Sequence, residues 1–155
     1  MGEHSGTHLS APSSFQQGAP GHEGLSPQDL VRPAVVIDIA IQAEADPDYA
    51  LTMNDILDWE SGHGPVPHGS LILLRTGWQA KWSSPLDYLG GTDAGQLHYP
   101  GFGWDAAQML LEGRNIAGLG ADTAGAEPGA DTEFSVSRYA LENRLIVLEN
   151  LTNLD

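Results

Sequence analysis

Glu3-His-Ser-Gly-Thr-His-Leu-Ser-Ala-Pro-Ser-Ser-Phe15 sets His4 and His8 on either side of a Gly-Thr pair. Imidazole is the commonest neutral metal ligand near pH 7, and Gly6 lets the backbone bend so that both rings can face one point. Spacing alone leaves a second reading open, a polar stretch whose two histidines are simply solvated. The chain has no cysteine, so disulfides and thiolate sites are excluded, and any metal must take imidazole, carboxylate or water oxygen.

Downstream of this segment the apolar residues come in short runs. Ala34-Val-Val-Ile-Asp-Ile39 follows Pro33 and has the β-branched density of a buried strand. Thr52, with Asp55 three residues on, starts a helix through Ile56, Leu57 and Trp59 that ends in the segment Gly62 to Gly69. Leu71-Ile-Leu-Leu-Arg75 reads as a second buried strand. Residues 83–103, rich in Gly, Ser, Pro and aromatics, read as a long loop with a lid or interface role. Asp105 to Glu112 predicts a helix, Ile116 to Ala121 a strand, Ser135 to Asn143 a helix and Leu145 to Leu148 a last buried strand with Glu149 and Asn150 at its exit. Strands alternating with helices, without an internal repeat, predict an α/β layered domain.

At 155 residues the chain is one domain, 1–155, with residues 1–30 as a motif-bearing loop region holding at most one short strand. Twenty-one acidic residues against 6 Lys and Arg give a formal charge of −15, which repels phosphate backbones and anionic lipid surfaces. Nucleic acid and membrane are therefore excluded as expected partners. No leader-like n-region and apolar run opens the sequence, and no apolar stretch reaches the ~18 residues of a bilayer span. The default location is cytoplasmic.

The opening run resembles the signature of the cyclase family, which includes kynurenine formamidases and isatin hydrolases and reads His-x-Gly-Thr-His-x-Asp-x-Pro-x-His. His4, Gly6, Thr7, His8 and Pro12 match it. Leu73-Leu-Arg-Thr-Gly-Trp78, His98-Tyr-Pro-Gly101, Gly120-Ala-Asp-Thr123 and Glu149-Asn-Leu151 agree in order along nearly the whole chain. The resemblance implies a layered β/β/α swivelling-type domain with a mixed sheet and flanking helices. It implies a divalent ion, zinc or manganese, that activates water against an amide, lactam or ester carbonyl, as in the arylformamidase step from N-formylkynurenine to kynurenine in tryptophan catabolism. It also implies a small-molecule substrate of the aryl-amide kind and a homo-oligomer, most simply a homodimer. Relatives carry strands ahead of the signature, so the resemblance implies truncation at the N-terminus.

Carried over residue by residue, the resemblance assigns His4, His8 and Glu149 as metal ligands. Ser10 stands where the family has a bridging aspartate, Ser14 where it has an acid/base histidine, and Ser137 where it has a further histidine ligand. A neutral hydroxyl neither supplies the charge of a bridging carboxylate nor replaces imidazole in proton transfer at its ordinary pKa. Two expectations follow: a hydrolase with one ion held by His4, His8 and Glu149, or a degenerate member that keeps fold and pocket and binds without turnover.

The substrate-binding candidates are Trp78, His98 and Phe102. Together with Trp82, Tyr99 and Trp104, they either wall an apolar pocket for an aryl group or belong to the core. His22, His63 and His68 read as solvated, Asp122 as a buried hydrogen-bonded aspartate, and Glu127, Asp131 and Glu133 as a solvated acidic loop.

Overall fold

The apolar runs assemble into one five-stranded sheet in the computed structural model, which describes residues 4–91 and 95–155. Its strands lie in the order β1 (His8–Ser10), β7 (Ile146–Glu149), β6 (Gly118–Ala121), β4 (Leu71–Arg75) and β2 (Ala34–Asp38). β2, β4, β6 and β7 are mutually parallel, and β1 runs antiparallel to β7. Parallel neighbours need crossovers, supplied by α1 (Ala40–Ala45) and α2 (Met53–His63), α3 (Pro85–Leu89) and α4 (Trp104–Gln108), and α5 (Ser135–Glu142). A two-stranded parallel sheet, β3 (Ala50–Leu51) with β5 (Gly101–Phe102), completes the mixed α/β fold.

Local chemistry fixes the element ends. Thr52 and Asp55 form a reciprocal capping box: the Asp55 amide donates to Thr52 Oγ1 at 3.3 Å and the Thr52 amide to the Asp55 carboxylate at 2.8 Å. Gly64, at φ 87°, takes up the chain direction after α2 that a side chain would resist. Along β4 burial alternates, and Ile72 and Leu74 are wholly buried with Ile56 of α2, Leu110, Leu119 and Val147. β6 is buried on both faces. A Cβ at Gly120 would lie 2.8 Å from Leu151 and 2.9 Å from Leu73, so the sheet centre depends on the missing side chain.

Several local features differ from the sequence expectation, the first being β2, expected to be buried but found at the sheet edge with Ile37 its one buried residue. Residues 83–103 include α3, which starts because the Ser84 side chain accepts from the Asp87 amide and Pro85 occupies the first turn, and they also include β5. The helix expected over Asp105 to Glu112 begins at Trp104 and widens into a π turn over Met109–Gly113. α1 was not expected, because six residues are too few to display a helical period.

Candidate metal centre and its cavity

The antiparallel β1–β7 pair sets the register His8 opposite Glu149 and Ser10 opposite Val147. Opposed residues of a ladder share a face, so an N-terminal histidine and a C-terminal carboxylate meet across 141 residues of sequence. Glu149 is buried and His8 half-buried, whereas His4 arrives from the turn before β1 and is exposed. Gly6, at φ 72°, makes that turn.

His4 Nδ1 and His8 Nε2 lie 2.9 Å apart, and Glu149 Oε2 lies 3.0 Å from the latter and 3.5 Å from the former. A tetrahedral ion with bonds of ~2.0–2.1 Å separates its donors by about 3.3 Å, so the three groups fit a two-imidazole, one-carboxylate set. His8 Nδ1 is 2.9 Å from the Gly6 carbonyl, an acceptor only, which puts the proton on Nδ1 and leaves the Nε2 lone pair facing the cluster. Thr7 Oγ1 donates to the Asn150 carbonyl at 2.6 Å, and Asn150 Nδ2 donates to the Gly6 carbonyl at 3.2 Å. These bonds tie the histidine turn to the end of β7.

The serine positions fall around this set. Ser10, buried, donates to Glu149 Oε1 at 3.2 Å, so one carboxylate oxygen has a hydroxyl partner and the other faces the imidazoles. Ser14 lines the adjoining cavity. Ser137, at the start of α5, is buried and bonded to Glu127: its amide donates to Oε2 at 2.8 Å and its hydroxyl to Oε1 at 3.1 Å.

The cavity has a volume of about 570 Å³ and runs from His4 and Glu149 past Glu127 and Ser137 between walls of Phe15, Trp82, Tyr88, Tyr99 and Phe134. Its described lining contains no Lys or Arg. Burial pushes the Tyr88 and Tyr99 phenols far up, so both stay neutral, and Tyr88 donates to Asn150 Oδ1 at 2.8 Å.

Several candidates lie elsewhere. Phe102 is wholly buried in the main core and Trp78 is 3% exposed, donating its indole N–H to the Tyr88 carbonyl at 2.7 Å; neither reaches the cavity, because strand β5 and the tight turn after β4 turn them inward. His98 bonds the Asp48 carboxylate at 2.8 Å beside a separate surface hollow. Glu127 is not solvated but 1% exposed, because the chain after β6 folds beneath α5. Asp122 is buried, accepting from the Thr76 amide at 2.8 Å and its hydroxyl at 2.7 Å. Glu127 and Asn150 are cavity residues that the sequence reading did not select. A Glu-Pro pair in a Gly-rich turn gives no signal of burial, and asparagine carries no titratable hint.

This arrangement defines a mixed α/β domain with a two-histidine, one-carboxylate set beside an aromatic cavity. The chain belongs to the cyclase family, whose model, described as "Putative cyclase", matches residues 1–128. It is 32% identical to the isatin hydrolase of Roseibium aggregatum over 163 residues, covering 100% of this chain and 61% of that protein. The chain thus spans about three fifths of that relative's length. Isatin hydrolase A from Labrenzia aggregata, solved with benzyl benzoate, superposes with a TM-score of 0.92 at 33% identity over 100% of this chain and 62% of its own. An isatin hydrolase bound to the product analogue thioisatinate gives 0.91 at 32% identity, with coverage of 100% and 62%. No helix among the described residues is long and apolar enough to cross a membrane.

Proposed function

We propose that this domain is the catalytic part of a metal-dependent hydrolase that opens an uncharged aryl lactam, or a related amide or ester, with one divalent ion held by His4, His8 and Glu149. The observation that carries the reading is the convergence of these three donors, within 4.8 Å of one another, beside an aromatic cavity whose described lining holds no Lys or Arg. A zinc or manganese ion there supplies Lewis acidity and brings the pKa of bound water toward ~7. The residues do the rest. The Gly6 carbonyl holds His8 in the tautomer that presents Nε2, Ser10 orients Glu149, and Phe15, Trp82, Tyr88 and Tyr99 exclude water and stack against an aryl ring.

The same lining argues between substrates. N-formylkynurenine carries an amino-acid carboxylate, which a wall holding Glu127 and Glu149 and no Lys or Arg would leave unpaired. A neutral lactam such as isatin meets no such cost, and this favours lactam opening over the arylformamidase reaction. The second reading, binding without turnover, draws on Ser10, Ser14 and Ser137, three hydroxyls where the resemblance to the family implies charged or imidazole groups. A homodimer is proposed for the assembled protein, to be read by sedimentation equilibrium.

Elemental analysis after dialysis, beside a His4→Ala, His8→Ala double variant, tests the reading. About one equivalent of metal, lost in the variant, with isatin turned over faster than N-formylkynurenine, is the expected result. Folded protein that takes up neither zinc nor manganese would overturn it. One equivalent of metal with neither substrate opened would leave the binding protein.

A further inference from the structure

Amide cleavage needs a proton for the departing nitrogen, and Ser14, a hydroxyl, lines the cavity at the position where the resemblance implies an acid/base imidazole. The cavity wall holds another acid. Glu127 is the most deeply buried carboxyl of the lining, at 1% exposure, and its described hydrogen bonds come from the amide and hydroxyl of Ser137. Around it lie Tyr99 ahead of β5, Asp131 in the turn that follows and Ser137 on α5, and none of these three is cationic. Burial therefore pushes its carboxyl up, against the Ser137 hydrogen bonds that pull it down. Gly125 opens the approach, since a Cβ there would lie 2.9 Å from the Tyr99 hydroxyl and 3.1 Å from Glu127 Oε1.

We propose that Glu127, acting through the Ser137 hydroxyl, delivers the proton to the leaving nitrogen in place of the imidazole that Ser14 lacks. The inference rests on the hydrolase reading above. With Glu127 protonated, the 3.1 Å bond reverses so that Oε1 donates to the Ser137 hydroxyl, which can accept from the acid and donate onward at once. As the carbonyl C–N bond breaks, Ser137 passes its proton to the departing nitrogen and takes the Glu127 proton in exchange. The new C–O bond is made by water. One of its protons returns to Glu127 through Ser137 and the other stays with the new carboxyl group, so lactam and water give amine and carboxylic acid with both residues restored.

The discriminating measurement pairs two leaving groups. The aniline nitrogen of isatin cannot depart without a proton, whereas the nitrophenolate of para-nitrophenyl acetate leaves unaided. In Glu127→Gln and in Ser137→Ala, checked for native circular dichroism and unchanged metal content, isatin hydrolysis should fall by ~100-fold. Loss on the ester should be at least tenfold smaller. Infrared difference spectra across a pH titration should show in the wild type a protonated-carboxyl band that outlasts the ordinary carboxylate range and that Glu127→Gln lacks. Equal losses on both substrates, no loss on isatin, or no such band would overturn the inference while the hydrolase reading stood. Metal-loaded wild type that opens neither substrate would instead sink the hydrolase reading, and the proton donor with it.

Discussion

Two histidine pairs of similar spacing, His4 with His8 and His63 with His68, receive opposite treatment from the fold. In the first, β7 brings Glu149 to the rings and the donor atoms stand 2.9 to 3.5 Å apart. In the second, each ring is satisfied by its own neighbourhood: His63 stacks on Trp59 and bonds its carbonyl at 2.8 Å, and His68 bonds Asn115. Density of histidine does not make a ligand set. The difference is a carboxylate delivered across a strand register, which the turn after α2 never meets.

The comparison breaks most directly at Glu149. Glu149→Gln keeps the shape and removes the charge, and it should weaken zinc or manganese binding by roughly 100-fold or more, read by titration calorimetry. Unchanged affinity would reduce the first pair to the status of the second. Ser10→Asp sharpens the contrast from the other side. A second buried carboxylate 3.2 Å or so from Glu149 Oε1, where the hydroxyl now sits, should cost about 2–4 kcal/mol in chelator. Zinc should recover most of that stability. Denaturant unfolding with and without metal measures both.

A smaller effect separates the two buried carboxylates. Glu149 has imidazoles beside it, and Glu127 has no Lys or Arg in the described lining around it. Because burial raises the folded-state pKa of Glu127 above its ordinary 4.5, the native protein keeps a proton that the unfolded chain releases above that value. Its contribution to stability therefore falls as pH rises from about 4.5 through the folded pKa. Glu127→Gln abolishes this fall, so melting temperatures of variant and wild type should shift in the variant's favour between pH 4 and pH 8. Least affected should be His63→Ala, His68→Ala: metal stoichiometry unchanged and stability altered by no more than about 1 kcal/mol, checked by elemental analysis and urea melts.

Much of the sheet could be read because its strands are β-branched or leucine-rich runs bounded by Pro, Gly and Asn, as in Val35 to Ile37 and Leu71 to Leu74. The α2 start was legible for the same local reason, a Thr52–Asp55 box within one turn. α3 and β5 were not, since Ser84-Pro85 and Gly101-Phe102 carry turn-like composition and are ordered by what packs on them. Aromatics behaved likewise. Trp78, Tyr99 and Phe102 look equivalent in sequence, yet Tyr99 lines the cavity and Phe102 fills the core.

By itself the sequence determined an acidic, cysteine-free α/β domain of the cyclase family, with His4 and His8 on one bend and Glu149 at a strand exit, because these are properties of composition, period and motif order. Only the tertiary structure decided that His8 faces Glu149 and that Ser10 bonds the same carboxylate. It alone buried Glu127 against Ser137 in a cavity whose described lining holds no Lys or Arg. Ladder register and the burial of a turn are set by side-chain packing between residues more than a hundred positions apart, or beneath a helix formed later in the chain, and no local pattern encodes either.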